Sequence, residues 1–175
     1  MEITSDIILK GDIWVEARKK MKEIFFKRTN FSIFLMATSI GILYDEQIGN
    51  EDFEGEDDIQ IPRNVLIRNT NILDYLFQAA IVTSKTVDFS EEKRMELAFN
   101  DEAPEEFRKI NYLVKFANFG ITKLSVLVSN DPLLTMKNLN DFLASTMEES
   151  NFDLYELPEK DLHDAIDDSE FELNI

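Results

Sequence analysis

The chain has 175 residues and carries 35 acidic against 18 basic side chains, a net charge of −17. It is 44% hydrophobic and 30% charged, which is globular and too apolar for a disordered chain, and its length suits one domain with a buried core. The absence of cysteine excludes disulfides, thiolate zinc sites and cysteine nucleophiles together, and the acidic balance disfavours direct binding of duplex DNA.

A reducing, cytoplasmic setting is the expected one, since cysteine-free chains need no oxidising compartment. The opening "MEITSDIILKGDIW" has acids where a secretory signal needs a basic start. Asp12 can cap a first helix running to about Lys27, with Ile13, Trp14, Ala17, Met21, Ile24 and Phe25 at helical spacing. The same segment clusters Arg18, Lys19, Lys20, Lys22, Lys27 and Arg28, diluted by Asp12, Glu16 and Glu23. Such a cluster reads as an ordinary charged helix face or as a dock for the protein's own acidic tail.

The window "FSIFLMATSIGILY", residues 31–44, contains no charge. It is shorter than the roughly 20 residues that a membrane span needs. The expectation is therefore a second helix, apolar nearly all round and central to the core, with no membrane association. Residues 45–58 then hold eight acids and no base, which predicts a solvated, mobile loop. It ends in "IQIPRN", a short extended stretch before Pro62.

Thr70 or Asn71 can cap a third helix over "ILDYLFQAAIVTS", and Ser90 opens a fourth with Glu91 and Glu92 in its first turn. Pro104 suits the first position of a fifth, "PEEFRKINYLVKFANFG", with Gly120 as its stop. The run "ITKLSVLVS" fits strand or helix equally. Asp131-Pro132 begins a last helix over "LLTMKNLNDFLAS". The expected fold is all-α: five to seven helices in one domain, residues 1–147, with an acidic internal loop.

An acidic tail, residues 148–175, follows. It holds eleven acids against Lys160 alone, so the rest of the chain outside this tail and the acidic loop nets one positive charge. Solvation needs no large apolar side chains, yet Phe152, Leu154, Tyr155, Leu157, Leu162, Ile166, Phe171, Leu173 and Ile175 are interleaved with the acids. Such a segment either packs on the body as a short helix or folds on a partner. The partner-binding residues expected are Phe152, Leu154, Tyr155, Leu157, Leu162, Ile166, Asp167, Asp168 and Phe171.

Residues for catalysis are scarce. The single histidine, His163, lies among carboxylates that favour its charged form and make it a poor base. No serine sits in a Gly-x-Ser-x-Gly setting, and neither a phosphate loop nor Gly-x-Gly-x-x-Gly occurs. In "NEDFEGEDDIQI", Asn50, Asp52, Glu54 and Gly55 stand where a calcium loop begins, but Ile61 takes the place of its bidentate glutamate. Asp161, His163, Asp164 and Asp168 can gather on one helix, though a metal-dependent hydrolase needs such carboxylates preorganised in a cleft. No catalytic residue, metal ligand or cofactor is expected, and the chain reads as a non-enzyme.

Two stretches, "FFKRTNFSIFLMATSIGILYDEQ" (residues 25–47) and "LVKFANFGITKL" (residues 113–124), resemble a helix and a helix end in a family of small bacterial proteins associated with DNA phosphorothioation. The resemblance spans about Phe25 to Leu127, and Asp45-Glu46 stands where that family carries basic residues. It implies a non-catalytic accessory subunit of a bacterial anti-phage defence or DNA-processing complex, in contact with a larger protein subunit, an ATPase or nuclease. The charge keeps a second reading open, an acidic DNA mimic that inhibits a DNA-binding protein or nuclease, although its acids fall in two segments instead of along rigid faces. Homodimerisation through the apolar helices is open too. Deleting residues 148–175 is expected to weaken partner binding while leaving the helical content unchanged, measured by affinity titration and circular dichroism.

Overall fold

The computed structural model describes residues 1–26, 29–53, 55, 57–100 and 108–149. In chain order these form β1 (Ile7–Lys10), α1 (Asp12–Met21), α2 (Thr29–Tyr44), a 3-10 turn (Asn50–Asp52), β2 (Asp58–Ile61), α3 (Arg63–Arg68), α4 (Thr70–Thr83), α5 (Glu91–Phe99), α6 (Lys109–Leu127) and α7 (Pro132–Glu149). The protein is mainly α-helical, with a single two-stranded sheet among the described residues. Met1–Leu139 form one compact unit, and a second begins at Asn140.

The centre of the first unit is the pair α2 and α6. Helix α2 lacks a polar face: Phe31, Ile33, Phe34, Ala37, Thr38, Ile40 and Gly41 are all buried. Helix α6 buries Leu113, Phe116, Ala117, Gly120, Ile121 and Leu124, a row at intervals of three and four. The two backbones touch where the glycines stand. A Cβ on Gly41 would lie 2.0 Å from the Phe116 carbonyl oxygen, and one on Gly120 would lie 1.7 Å from the Ala37 carbonyl oxygen. Ala37 meets Gly120 and Gly41 meets Phe116, so the order of contacts reverses along the two helices and the pair runs antiparallel.

Around this pair the other elements bury single faces. Helix α1 contributes Trp14, Ala17 and Met21, spaced by three and four, and α4 contributes Leu73, Phe77, Ala80 and Ile81. Phe77, Tyr112 and Phe116 stack edge to face, with centroids 5.8 Å and 5.2 Å apart, the favoured geometry for aromatic quadrupoles. The sheet is antiparallel with Ile7 opposite Ile61 and Leu9 opposite Ile59. Those four isoleucine and leucine side chains are buried while Ile8, Lys10, Asp58 and Gln60 face out, the period of two that a strand imposes.

Several ends match their sequence signals. The Ser90 hydroxyl accepts from Lys93 N at 3.2 Å and starts α5, and Asp131 Oδ1 accepts from Leu133 N at 2.9 Å and starts α7. Other ends differ. Helix α1 stops at Met21, where Ile24 N and Phe25 N both turn back onto the Met21 carbonyl. Gly120 is no helix stop: α6 runs seven residues past it, because the glycine serves the close approach of α2 and Ile121 and Leu124 prolong the buried row. Strand β1 and helix α3 have no counterpart in the predicted elements, being four and six residues long.

Gly41→Ala and Gly120→Ala should each destabilise the fold by about 3 kcal/mol, the upper end of overpacking losses, since backbone must move to admit the methyl group. Urea denaturation of each variant checks this; a change under about 0.5 kcal/mol would mean that the helices separate freely.

Candidate interaction surfaces

The nine tail residues expected to bind a partner, Phe152 to Phe171, lie outside the described residues, as do His163 and the acids around it. Among the described residues no group of three or more His, Cys, Asp or Glu side chains can hold a metal ion, and no helix is long and apolar enough to cross a membrane.

The acids after α2 do structural work. Asp45 ends α2 in a left-handed conformation with φ 54°, and its carboxylate accepts from Lys85 N at 2.6 Å and Thr86 N at 3.0 Å, just beyond the end of α4. Burial alone would raise its pKa, but hydrogen bonds from the Ser84 hydroxyl, the Lys85 and Thr86 amides and the Thr86 hydroxyl together hold the carboxyl below its ordinary value. From the other side, Arg94 on α5 grips the same connection. Its guanidinium donates to the carbonyls of Val87 (2.6 Å), Ile81 and Phe89 (3.1 Å each) and Ser84.

The segment that the charge pattern predicts to be mobile is tied to α6 over its first half. Ile48 N donates to Lys115 O at 3.0 Å. The fully buried Asn118 amide donates to Ile48 O at 3.2 Å and Asn50 Oδ1 at 2.8 Å. Asp52 caps Gly49 N at 3.0 Å, so the first residues of the would-be calcium loop bond to the protein itself. The acids make the loop soluble, while neighbouring amides and carbonyls fix it, a distinction that charge counting does not capture.

Among the described residues, two surfaces combine exposed apolar side chains with polar or charged neighbours. On α4 the exposed residues Ile72, Tyr75, Ala79 and Val82 recur at three and four, one stripe of the helix. Asp74 is the only charged residue of α4, and it is taken up by the N-terminal amine at 3.1 Å. Gln78 Nε2 donates to Ala98 O at 3.3 Å and brings the end of α5 alongside, where Met95 and Phe99 are also exposed. Tyr75 is 72% and Phe99 60% exposed, unusual for aromatics of a globular chain.

The second surface is a cleft of about 390 Å³ between α1, the start of α2, and the β2–α3 junction. Arg18, Lys22 and Phe26 line one side, and Phe31, Ile61 and Pro62 line its apolar part. Asn30 Nδ2 donates to Gln60 O at 2.8 Å and joins α2 to β2 there. The basic cluster of α1 is thus split by the helix: Arg18 and Lys22 face the cleft, while Lys20 reaches Glu16 at 4.0 Å. Sequence alone separates neither surface from core, because spacing does not say which apolar stripe is covered.

Comparison with protein-family models, with curated proteins and with solved structures gives no match to this chain.

Because the folded-state pKa of Asp45 lies below the unfolded one, its contribution is fully present above about pH 4 and fades as pH falls through the folded value. Asp45→Ala should lower stability by about 1–3 kcal/mol at neutral pH, for loss of charge-assisted hydrogen bonds. The gap between wild type and variant should close on acidification, read from urea midpoints across that range; a gap independent of pH would refute the carboxylate's role.

Proposed function

We propose that the protein is a non-catalytic accessory subunit of a bacterial anti-phage defence or DNA-processing complex, acting by contact with a larger protein subunit. The observation that carries the contact-based reading is the exposed apolar face of α4 and α5, with Ile72, Tyr75, Val82, Met95 and Phe99 open to solvent in a chain of charge −17. Exposed large apolar side chains, above all aromatics, are what interfaces bury at their centres. The resemblance over residues 25–127 supplies the biological setting, and the acidic, apolar-studded tail supplies a second, tethering contact to basic surface on the same partner.

Tyr75→Asp and Phe99→Asp leave the core untouched and should each weaken affinity for the partner by roughly thirtyfold, the loss of one hot-spot residue. The full-length protein, used as bait in its native host, should retain an ATPase or nuclease that both variants lose. A stable dimer dispersed by the same variants would assign the face to self-assembly. Displacement by duplex DNA with steep salt dependence would favour mimicry. Retention unaffected by either variant would remove this face from the function.

A further inference from the structure

The cleft beside α1 has a chemistry separate from the α4–α5 face. Its apolar part contains Phe31 and Ile61, which are 4% and 1% exposed, together with Pro62 and Val65. Its rim carries Arg18 and Lys22, one helical turn apart, with Cβ atoms about 6 Å from each other. Both are exposed, and among the described residues neither has an ion-pair partner, whereas Lys20 pairs with Glu16 and Lys93 with Glu96. Phe26 closes the same rim with 81% of its surface open.

Cations in the last turn of α1 complement the helix dipole, which accounts for a basic helix end. It does not account for an aromatic ring left in water beside them, or for an apolar hollow below. Positive rim, exposed ring and apolar floor together are complementary to one class of ligand. We infer that this cleft binds an acidic peptide segment of a partner protein, in which carboxylates lie next to a large apolar side chain.

In that arrangement a carboxylate lies against the Arg18 guanidinium, whose fork accepts it in two parallel hydrogen bonds, and Lys22 takes a second acid one turn on. The neighbouring apolar side chain enters the hollow over Ile61 and Pro62, and Phe26 folds over it. A volume of about 390 Å³ suits the side chains of one short segment. The overall charge of −17 opposes an acidic ligand at long range, but screening beyond about 8 Å leaves the rim cations dominant at contact. Nucleic acid fits less well, since the chain offers no positive surplus with which to neutralise phosphates.

The test is fluorescence anisotropy of the full chain with a short labelled peptide alternating glutamate with leucine and phenylalanine. The wild type should bind it, with affinity falling as salt rises, and should bind the same peptide with glutamine in place of glutamate at least about tenfold more weakly. Arg18→Glu and Lys22→Glu should each weaken binding by at least about tenfold, as like charges then face each other. Phe26→Ser should weaken it without altering the salt dependence. Lys137→Glu, which reverses an exposed lysine of α7 outside the cleft, should change it by less than about twofold. Absence of wild-type binding overturns the inference. So does equal loss with Lys137→Glu, which makes the effect one of net charge, and so does displacement of the peptide by single-stranded DNA at equal concentration. Tyr75→Asp and Phe99→Asp should leave this binding intact, which keeps its outcome apart from that of the α4–α5 face.

Discussion

Everything in the described fold hangs on main chain meeting main chain between α2 and α6. At Gly41 and Gly120 no side chain separates the helices, and the facing atoms are the carbonyls of Phe116 and Ala37. Such proximity lets dispersion and weak Cα–H···O contacts act over several turns at once. It also sets the distance at which every other element must pack, because Phe34, Phe116, Trp14 and Phe77 fill the volume around a crossing that cannot widen.

A second layer of order comes from polar groups that bind loops to this pair. Asp45 fastens the end of α2 to the residues after α4, Arg94 gathers four carbonyls of the same connection, and Asn118 holds the loop that follows α2. Each is a side chain satisfying backbone groups that a short connection would leave without partners. Thr38 adds an internal example, its buried hydroxyl donating to Phe34 O at 2.7 Å within α2. The apolar face of α4 and α5 is therefore displayed on a connection pinned from two sides, which lowers the entropy lost when a partner settles on it.

Helix identity was largely legible in the residues, since long apolar rows such as that of α2 and local caps such as Ser90 and Asp131 act over few positions. What escaped depends on distant contacts. Gly120 has the look of a helix end until α2 is known to lie against it, and Asp45 has the look of a solvated acid until Lys85 and Thr86 are brought to it. Strand β1 exists only through its pairing with β2, some fifty positions away. The cleft was visible only as a basic cluster, because the spacing that places Arg18 and Lys22 on one row says nothing of Ile61 beneath. The apolar stretches at residues 25–47 and 113–124 hold the two sides of the central crossing.

The carbonyl contacts at that crossing bear on how such a sequence can drift over generations. Where two side chains touch, a larger residue on one side can be matched by a smaller one opposite, and the pair wanders together through alternatives. At Gly41 and Gly120 the opposite atom is peptide oxygen, which every amino acid possesses. No second-site change can therefore make room, and suppressor mutations at the facing residues are closed off. Distant relatives of this chain should keep both glycines or have rebuilt the helix pair altogether.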